Sequence, residues 1–277
     1  MKVAFIGLGI MGLPMANNIA KKFPLVGFDV IKKETSFPFV SSIEEAVKDA
    51  DVVISMVPKS EHVLDVYSHI YPLVKKGQIF IDMSTISPSV STSVAHKIEE
   101  LGGEMLDCPV VKSQPAAISG TLGIYVGGKH IIYEQVQEIL SCMGSNIIYM
   151  GEHGQGLVMK ILHNALVGQI QNGVNEVLGV AKKLGLDLND VITAISYGGG
   201  QNFYLDGKGK NIINNEYPTA FSIANMHKDS HLTLDLLKEN NLSYPGLENT
   251  AKVYDKAMEM GLAKEDFSAT FKVVNKE

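Results

Sequence analysis

The strongest constraint on this chain is a rhythm. Short runs rich in Val, Ile, Leu and Phe, at residues 2–6, 25–29, 51–56, 78–82, 104–108, 123–126 and 146–150, alternate with segments of helical period at 11–22, 63–73, 90–101 and 131–143. A parallel strand pair needs a long crossover, and a helix supplies it, so alternation of this kind predicts an α/β fold with a doubly wound, mainly parallel sheet. Ser42 with Glu45 three residues on forms a capping box for one further short helix. The rhythm stops near Met150. After Gly151, Gly154 and Gly156 the pattern turns helical: a run from Leu157 to about Leu184, then segments at 188–195, 221–239 and 247–260. We therefore expect two domains, residues 1–154 with the sheet and residues 155–277 all helical, opening on one long helix.

Composition narrows what such a chain can bind. With 277 residues and a net charge of -6, it is long enough to bury roughly 75% of its unfolded surface, and it carries no basic run. Nucleic acid and anionic membrane are therefore not expected as partners. All 24 cationic side chains are lysine and none is arginine, so bidentate guanidinium clamps are excluded. Anions must be met by lysine, hydroxyls, amides or backbone N–H groups. Cys108 and Cys142 are too few for a disulfide framework or a structural zinc site, which fits small core residues in a reducing compartment. Residues 1–20 are apolar enough to imitate a signal peptide, but three glycines interrupt them, and we read them as folded structure of a cytoplasmic protein. No stretch approaches about 18 uninterrupted apolar residues, so no membrane span is expected.

Gly7-Leu8-Gly9-Ile10-Met11-Gly12 is a GxGxxG placed directly after a predicted strand and at the start of a predicted helix. In that setting Gly7 makes a tight turn, Gly9 lets a pyrophosphate approach the backbone, and Gly12 lets helix pack on strand, as in a Rossmann dinucleotide-binding domain. Asp29 ends the second strand, twenty residues after Gly9, where its carboxylate would accept from the ribose hydroxyls and repel a 2′-phosphate. Only Lys32 or Lys33 could favour NADP, so NAD is the expected cofactor. Twelve residues separate Asp29 from Ser42, which is short for a crossover, and we expect a loop with a short strand at 37–40.

Between Leu157 and Ala181 the only Lys, Asp or Glu residues are Lys160 and Glu176, which predicts a mostly buried helix. Lys160, Asn164, Gly168, Gln171 and Asn175 share one face. A lysine in the first helical turn feels the positive end of the macrodipole, and burial also disfavours its charge; both lower its pKa toward that of a general acid/base. Spacing alone leaves this reading level with a lysine that snorkels to solvent.

At this point the residues resemble a known family. Residues 5–16, Asp82-Met83-Ser84-Thr85, Asp107-Cys108-Pro109-Val110 leading to Gly120-Thr121-Leu122, Gly154-Gln155-Gly156 with Lys160 and Asn164, and Lys228-Asp229 are similar, in order, to the motifs of β-hydroxyacid dehydrogenases, the group that includes 3-hydroxyisobutyrate dehydrogenase. The resemblance implies a Rossmann domain followed by a helical one, with the active site in the cleft between them. It implies Lys160 as the catalytic lysine and Asn164 as its supporting amide. Met56-Val57-Pro58, Ser84 and Thr85 would line the cofactor, and Lys228 would reach its nicotinamide end. Homodimers or homotetramers are usual. Imine reductases, which are related, usually lack the lysine. Where many members read Ser-Gly-Gly, this chain has Val111-Lys112-Ser113, implying a side-chain cradle for the substrate anion.

The expected activity is NAD(P)-dependent interconversion of a small β-hydroxy acid and its semialdehyde. The altered loop leaves 3-hydroxyisobutyrate, 3-hydroxypropionate, serine, succinic semialdehyde and sulfolactaldehyde open. A non-catalytic dinucleotide-binding redox sensor on the same fold is the alternative. His227 and His231 have i, i+4 spacing, but no third ligand is placed by sequence, and no metal is expected.

Overall fold

A computed structural model describes residues 1–276. It divides into two compact units, Met1–Lys160 and the residues from Ile161 onward. In the first unit the central strands are continuous apolar runs: β1 (Val3–Ile6), β3 (Val52–Ser55) and β4 (Ile79–Asp82) are buried at every position. Runs of that kind suit strands covered on both faces. β2 (Leu25–Phe28) and β5 (Glu104–Asp107) complete a parallel set in the order β2-β1-β3-β4-β5. β7 (Leu122–Gly127) runs antiparallel to β5 and to the two-residue β6 (Val110–Val111), and β8 (Gly144–Gly151) pairs parallel with β7. The expected mainly parallel sheet is present.

Side chains alternate across this sheet with period two. Val3, Phe5, Ile54 and Ile81 face one core with Leu8, Met15 and Ile19. Ala4, Ile6, Val53 and Phe80 face the other with Val63, Tyr67 and Ile98. The covering helices are α1 (Gly12–Ala20), α2 (Ile43–Val47), α3 (Ser60–Ile70), α4 (Pro88–Glu100), α5 (Gln114–Ser119) and α6 (His130–Ser141). Ser42 Oγ accepts the Glu45 N–H at 3.1 Å, while the Glu45 carboxylate reaches back to the N–H of Ser41 rather than of Ser42. The expected strand at 37–40 is only a bridge: Gly27 N–H donates to Pro38 O and Val40 N–H to Gly27 O. β6 and α5 have no sequence signal because two and six residues are too few to display a period.

The helical part begins at Gln155 with α7 (Gln155–Lys183), whose first residues, to Lys160, belong to the first compact unit, where Leu157 is buried in the second sheet-face core. The rest of α7 packs with α8 (Leu188–Ile195), α9 (Phe203–Ile213), α10 (Ile223–Glu239), α11 (Pro245–Glu259) and α12 (Thr270–Asn275). α9 and α12 were not expected; Gly207 and Gly209 depress helix propensity within α9.

The polar face of α7 is a buried seam. Gln171 bonds Phe267 O, Thr270 and Tyr254, Asn172 donates to Thr250 at 3.1 Å, and Asn175 donates to Thr270 and accepts from Tyr204. The expectation of a mostly buried helix needs correction on the opposite face, where Leu162, Leu166, Val177 and Val180 are 47–58% exposed within the single chain. No described helix is long and apolar enough to cross a membrane.

Candidate active site

The strand order reverses at β1, with β2 on one side and β3 on the other, and in open α/β sheets ligands bind outside the carboxyl ends of strands at such a switch point. The glycine turn sits there. Gly7 has φ +93°, and a side chain on it would strike Met56 O; one on Gly12 would strike Gly7 O. Gly9 differs, for a Cβ there would meet nothing within 4 Å. Gly7 and Gly12 are thus required by protein packing, while the backbone at Gly9 lies open. Ile10 is exposed, Met11 is partly buried and Leu8 is buried. This arrangement fits a dinucleotide phosphate approaching the turn.

Asp29 is tied into the same turn. Its Oδ2 accepts the Leu8 N–H at 2.7 Å and its Oδ1 the Ile31 N–H at 2.8 Å. A carboxylate has about four lone-pair sites, so two N–H donors leave capacity for hydroxyl donors. The end of β2 and the glycine turn are thereby fixed to one another.

Met56, Val57 and Pro58 leave β3 beside Gly7, with Met56 N–H on Ile6 O at 2.9 Å. Their support was not legible in advance. Val57 N–H donates to Ser84 Oγ at 2.9 Å, and Ser84 Oγ and Ser55 Oγ both donate to Asp82 Oδ1, at 2.7 and 2.8 Å. Asp82 is fully buried, and burial pushes its carboxyl above the usual range against the pull of these hydroxyls. Ser84, expected to line the cofactor, is itself fully buried with its hydroxyl engaged inside this network; Thr85 is partly exposed.

Asp107, read from the sequence only as part of a family motif, has a role that sequence reasoning missed. It ends β5, is wholly buried, and accepts the N–H of Gly154 on Oδ1 at 2.7 Å and of Leu157 on Oδ2 at 2.8 Å. Those donors belong to the entry and first turn of α7, whose unpaired N–H groups need acceptors. Burial raises the Asp107 carboxyl, opposed by His153, whose Nδ1 lies 3.7 Å away, and by the two N–H donors. Close approach explains the glycines: a Cβ at Gly156 would stand 2.8 Å from Asp107 Oδ2 and 2.7 Å from Tyr125 O. Lys160 lies three residues past Leu157 and is 7% exposed. Because α7 starts at Gln155, Lys160 is in its second turn, not its first. The macrodipole argument for it weakens accordingly.

In the loop that follows β6, Lys112 has φ +77°, a left-handed conformation that favours glycine. The backbone thus turns as a glycine would allow, although the residue is lysine. Its side chain is exposed, with Nζ donating to Thr121 O at 2.7 Å. Val111 is the second residue of β6, and Ser113 caps α5 by position without a side-chain cap bond. Asn18 of α1, buried, donates to Ala117 O at 2.8 Å and Ile118 O at 3.3 Å, which ties this loop's helix to the helix of the glycine turn.

In the second unit, Asn164 Nδ2 donates to Asp229 Oδ2 at 2.5 Å, and Lys228 Nζ lies 3.0 Å from Asp229 Oδ1. Asn164 and Asp229 are both buried, so the amide's orientation is set by a carboxylate.

Comparisons with known proteins agree with this reading. Residues 2–151 match the family model described as the NAD binding domain of 6-phosphogluconate dehydrogenase, and residues 154–274 that described as the NAD-binding domain of NADP-dependent 3-hydroxyisobutyrate dehydrogenase. Mouse mitochondrial 3-hydroxyisobutyrate dehydrogenase is 34% identical, covering 99% of this chain and 87% of that one. The 2-hydroxy-3-oxopropionate reductase of Escherichia coli is 32% identical over 97% of this chain and 95% of its own. A Mycobacterium tuberculosis 3-hydroxyisobutyrate dehydrogenase, solved with L-serine, superposes with a TM-score of 0.92 at 30% identity, covering 99% of this chain and 98% of that one. By its glycine turn, its sheet and both matched halves, the chain belongs to the 3-hydroxyisobutyrate dehydrogenase-like family of NAD(P)-dependent β-hydroxyacid dehydrogenases.

Proposed function

We propose that this enzyme interconverts a small β-hydroxy acid and its semialdehyde, with NAD preferred over NADP and Lys160 as the general acid/base. The observation that carries the proposal is a lysine 7% exposed, one turn beyond a helix start held by a buried carboxylate, with Asn164 one further turn along the same face. When bound, the nicotinamide dinucleotide supplies or accepts the hydride at the substrate carbon. Lys160 Nζ takes the hydroxyl proton in oxidation and returns it in reduction. Asn164, its amide oriented by Asp229, supports the same substrate oxygen, and Lys228 serves the nicotinamide end.

Two features support the finer specificity. Asp29 would repel a 2′-phosphate, and this chain has no arginine to offset that repulsion. The Lys112 ammonium has three donors, one of them on Thr121 O, so two can meet a substrate carboxylate or sulfonate beside Ser113 and the Val111 backbone. The substrate is one of 3-hydroxyisobutyrate, 3-hydroxypropionate, serine, succinic semialdehyde or sulfolactaldehyde. The exposed apolar face of α7 at Leu162, Leu166, Val177 and Val180 suits a second copy of this chain in a homodimer or homotetramer. Two free cysteines, Cys108 buried and Cys142 partly so, accord with the reducing cytoplasm.

The test is a panel of these acids and semialdehydes assayed with NAD and with NADP, using the wild type and Lys160→Ala. Turnover that falls by about 100-fold or more in Lys160→Ala, with NAD affinity retained, supports the reading. Unaltered turnover in that variant removes Lys160 from the chemistry, and no turnover on any panel member returns the chain to a redox sensor.

A further inference from the structure

The sequence offers His227 and His231 as a histidine pair without a third ligand. The fold supplies one. Both side chains project from α10 one turn apart, and Asp255 of α11 meets them: His227 Nε2 lies 2.9 Å and His231 Nε2 2.8 Å from the same oxygen, Asp255 Oδ1. Among the described residues, this is the one group of three or more His, Cys, Asp or Glu side chains whose donor atoms gather closely enough to hold a metal ion, all within 4.8 Å of one another. We propose that His227, His231 and Asp255 form a binding site for a divalent transition-metal ion of the zinc class, which cross-links α10 to α11.

The donor set and its spacing both argue for this chemistry. Two imidazoles and one carboxylate suit Zn²⁺, Co²⁺, Ni²⁺ or Cu²⁺, whereas Mg²⁺ and Ca²⁺ demand oxygen ligands. Bonds of about 2.0–2.2 Å, opened to roughly 90–110°, place neighbouring donor atoms about 3 Å apart. The two Nε2–Oδ1 separations already stand near that value, so small side-chain rotations admit the ion. The side chains are 30%, 44% and 43% exposed, which leaves an entry path and room for water to complete the coordination shell.

Proton bookkeeping closes as well. Without metal, each imidazole donates Nε2–H to the carboxylate, which is the acceptor of the pair. Binding turns both Nε2 lone pairs to the ion, and each ring carries its proton on Nδ1 instead, where partial exposure gives it water as an acceptor. The Asp255 carboxylate supplies the anionic oxygen ligand and offsets half the ion's charge. Between the two histidines on α10 lie Lys228 and Asp229, the latter bonded to Asn164. A metal bridge would therefore brace the turn that carries them.

The experiment uses the full chain without a histidine tag, stripped with chelator and dialysed. CoCl₂ is titrated while visible d–d absorption is read, ZnCl₂ is titrated by calorimetry, and melting is recorded with and without Zn²⁺. The proposal expects one equivalent per chain, a raised melting temperature in Zn²⁺, and affinity weakened about tenfold or more in His227→Gln, His231→Gln and Asp255→Asn. His96→Gln, at an exposed position of the first unit, should bind as the wild type does. Circular dichroism of each metal-free variant verifies its fold. Absence of stoichiometric binding overturns the proposal, and so does equal affinity in the wild type and the three ligand variants, which would mean an adventitious ion only.

Discussion

Asp107→Asn isolates what a buried carboxylate does for the helix that carries Lys160. Asn keeps one acceptor oxygen and replaces the other with an NH₂ donor, so one of the N–H groups of Gly154 and Leu157 loses its acceptor and faces a donor. Loss of charge is not the main cost, because burial already raises the Asp107 carboxyl and the amide escapes that desolvation. What remains is an unsatisfied buried N–H at a helix start, worth about 1–3 kcal/mol. Taking about 2 kcal/mol and 2–4 °C per kcal/mol for a chain of this size, melting should fall by roughly 4–8 °C. If the first turn of α7 loosens, Lys160, three residues past Leu157, is displaced, and kcat should drop by about 10–100-fold while KM for NAD changes little. Calorimetric melting and steady-state kinetics measure the two effects. A variant that melts within a degree of the wild type and keeps full kcat would refute the claim that Asp107 sets this helix.

Lys112→Gly should relieve the left-handed strain at φ +77° and stabilise the chain by about 1 kcal/mol in urea unfolding. The same change should raise KM for the anionic substrate with kcat retained, and an unchanged KM removes the lysine from substrate binding. Asp29→Asn should narrow the preference for NAD over NADP by about 10–100-fold, the worth of a charged hydrogen bond, read as the ratio of the two kcat/KM values. Asp266 makes stability acid-sensitive. Burial pushes its carboxyl up, but Ser268, Lys208 at 2.9 Å and the Ala220 N–H outweigh burial and hold it below its usual range. Its folded pKa lies below the unfolded one, so its contribution is full above about pH 4 and is lost as pH falls through the folded value. Urea midpoints should decline below about pH 4 in the wild type and decline less in Asp266→Asn.

Legibility divides by sequence distance. The glycine turn, with the strand before it and the helix after it, is a local pattern, and each glycine's task could be assigned from its neighbours. α8 was legible for the same reason, its helical pattern lying within residues 188–195, and in the structure Asp187 caps the N–H groups of Asn189 and Asp190. Contacts that span long stretches of chain were not. The Asp107 bonds reach 47 and 50 residues ahead, Asn18 reaches 99 to Ala117, and Ser55 reaches 27 to Asp82. Nothing in the periodicity near Asp107 marks its carboxylate as the acceptor for a helix that begins at Gln155. Lys160 shows the mixed case: charge spacing marked it as unusual, yet its place in the second turn depended on a helix start two residues earlier than the apolar period indicated.

The same distinction explains why the motifs come as they do. Asp107 closes β5, Gly127 closes β7, and the Gly154-Gln155-Gly156 segment opens α7; a Cβ at Gly127 would collide with Asp107 Oδ1 and one at Gly156 would press on Oδ2. One carboxylate therefore demands two glycines from segments 20 and 49 residues away, and in return supplies the acceptors that the α7 start lacks. Neither glycine shapes a turn for its own sake. Gly156 has no positive φ, and what it provides is room. Substituting Ala at 156 should therefore reproduce the Asp107→Asn phenotype through sterics rather than lost hydrogen bonds. Because both act on the one contact between β5 and α7, the double variant should cost less than the sum of the two.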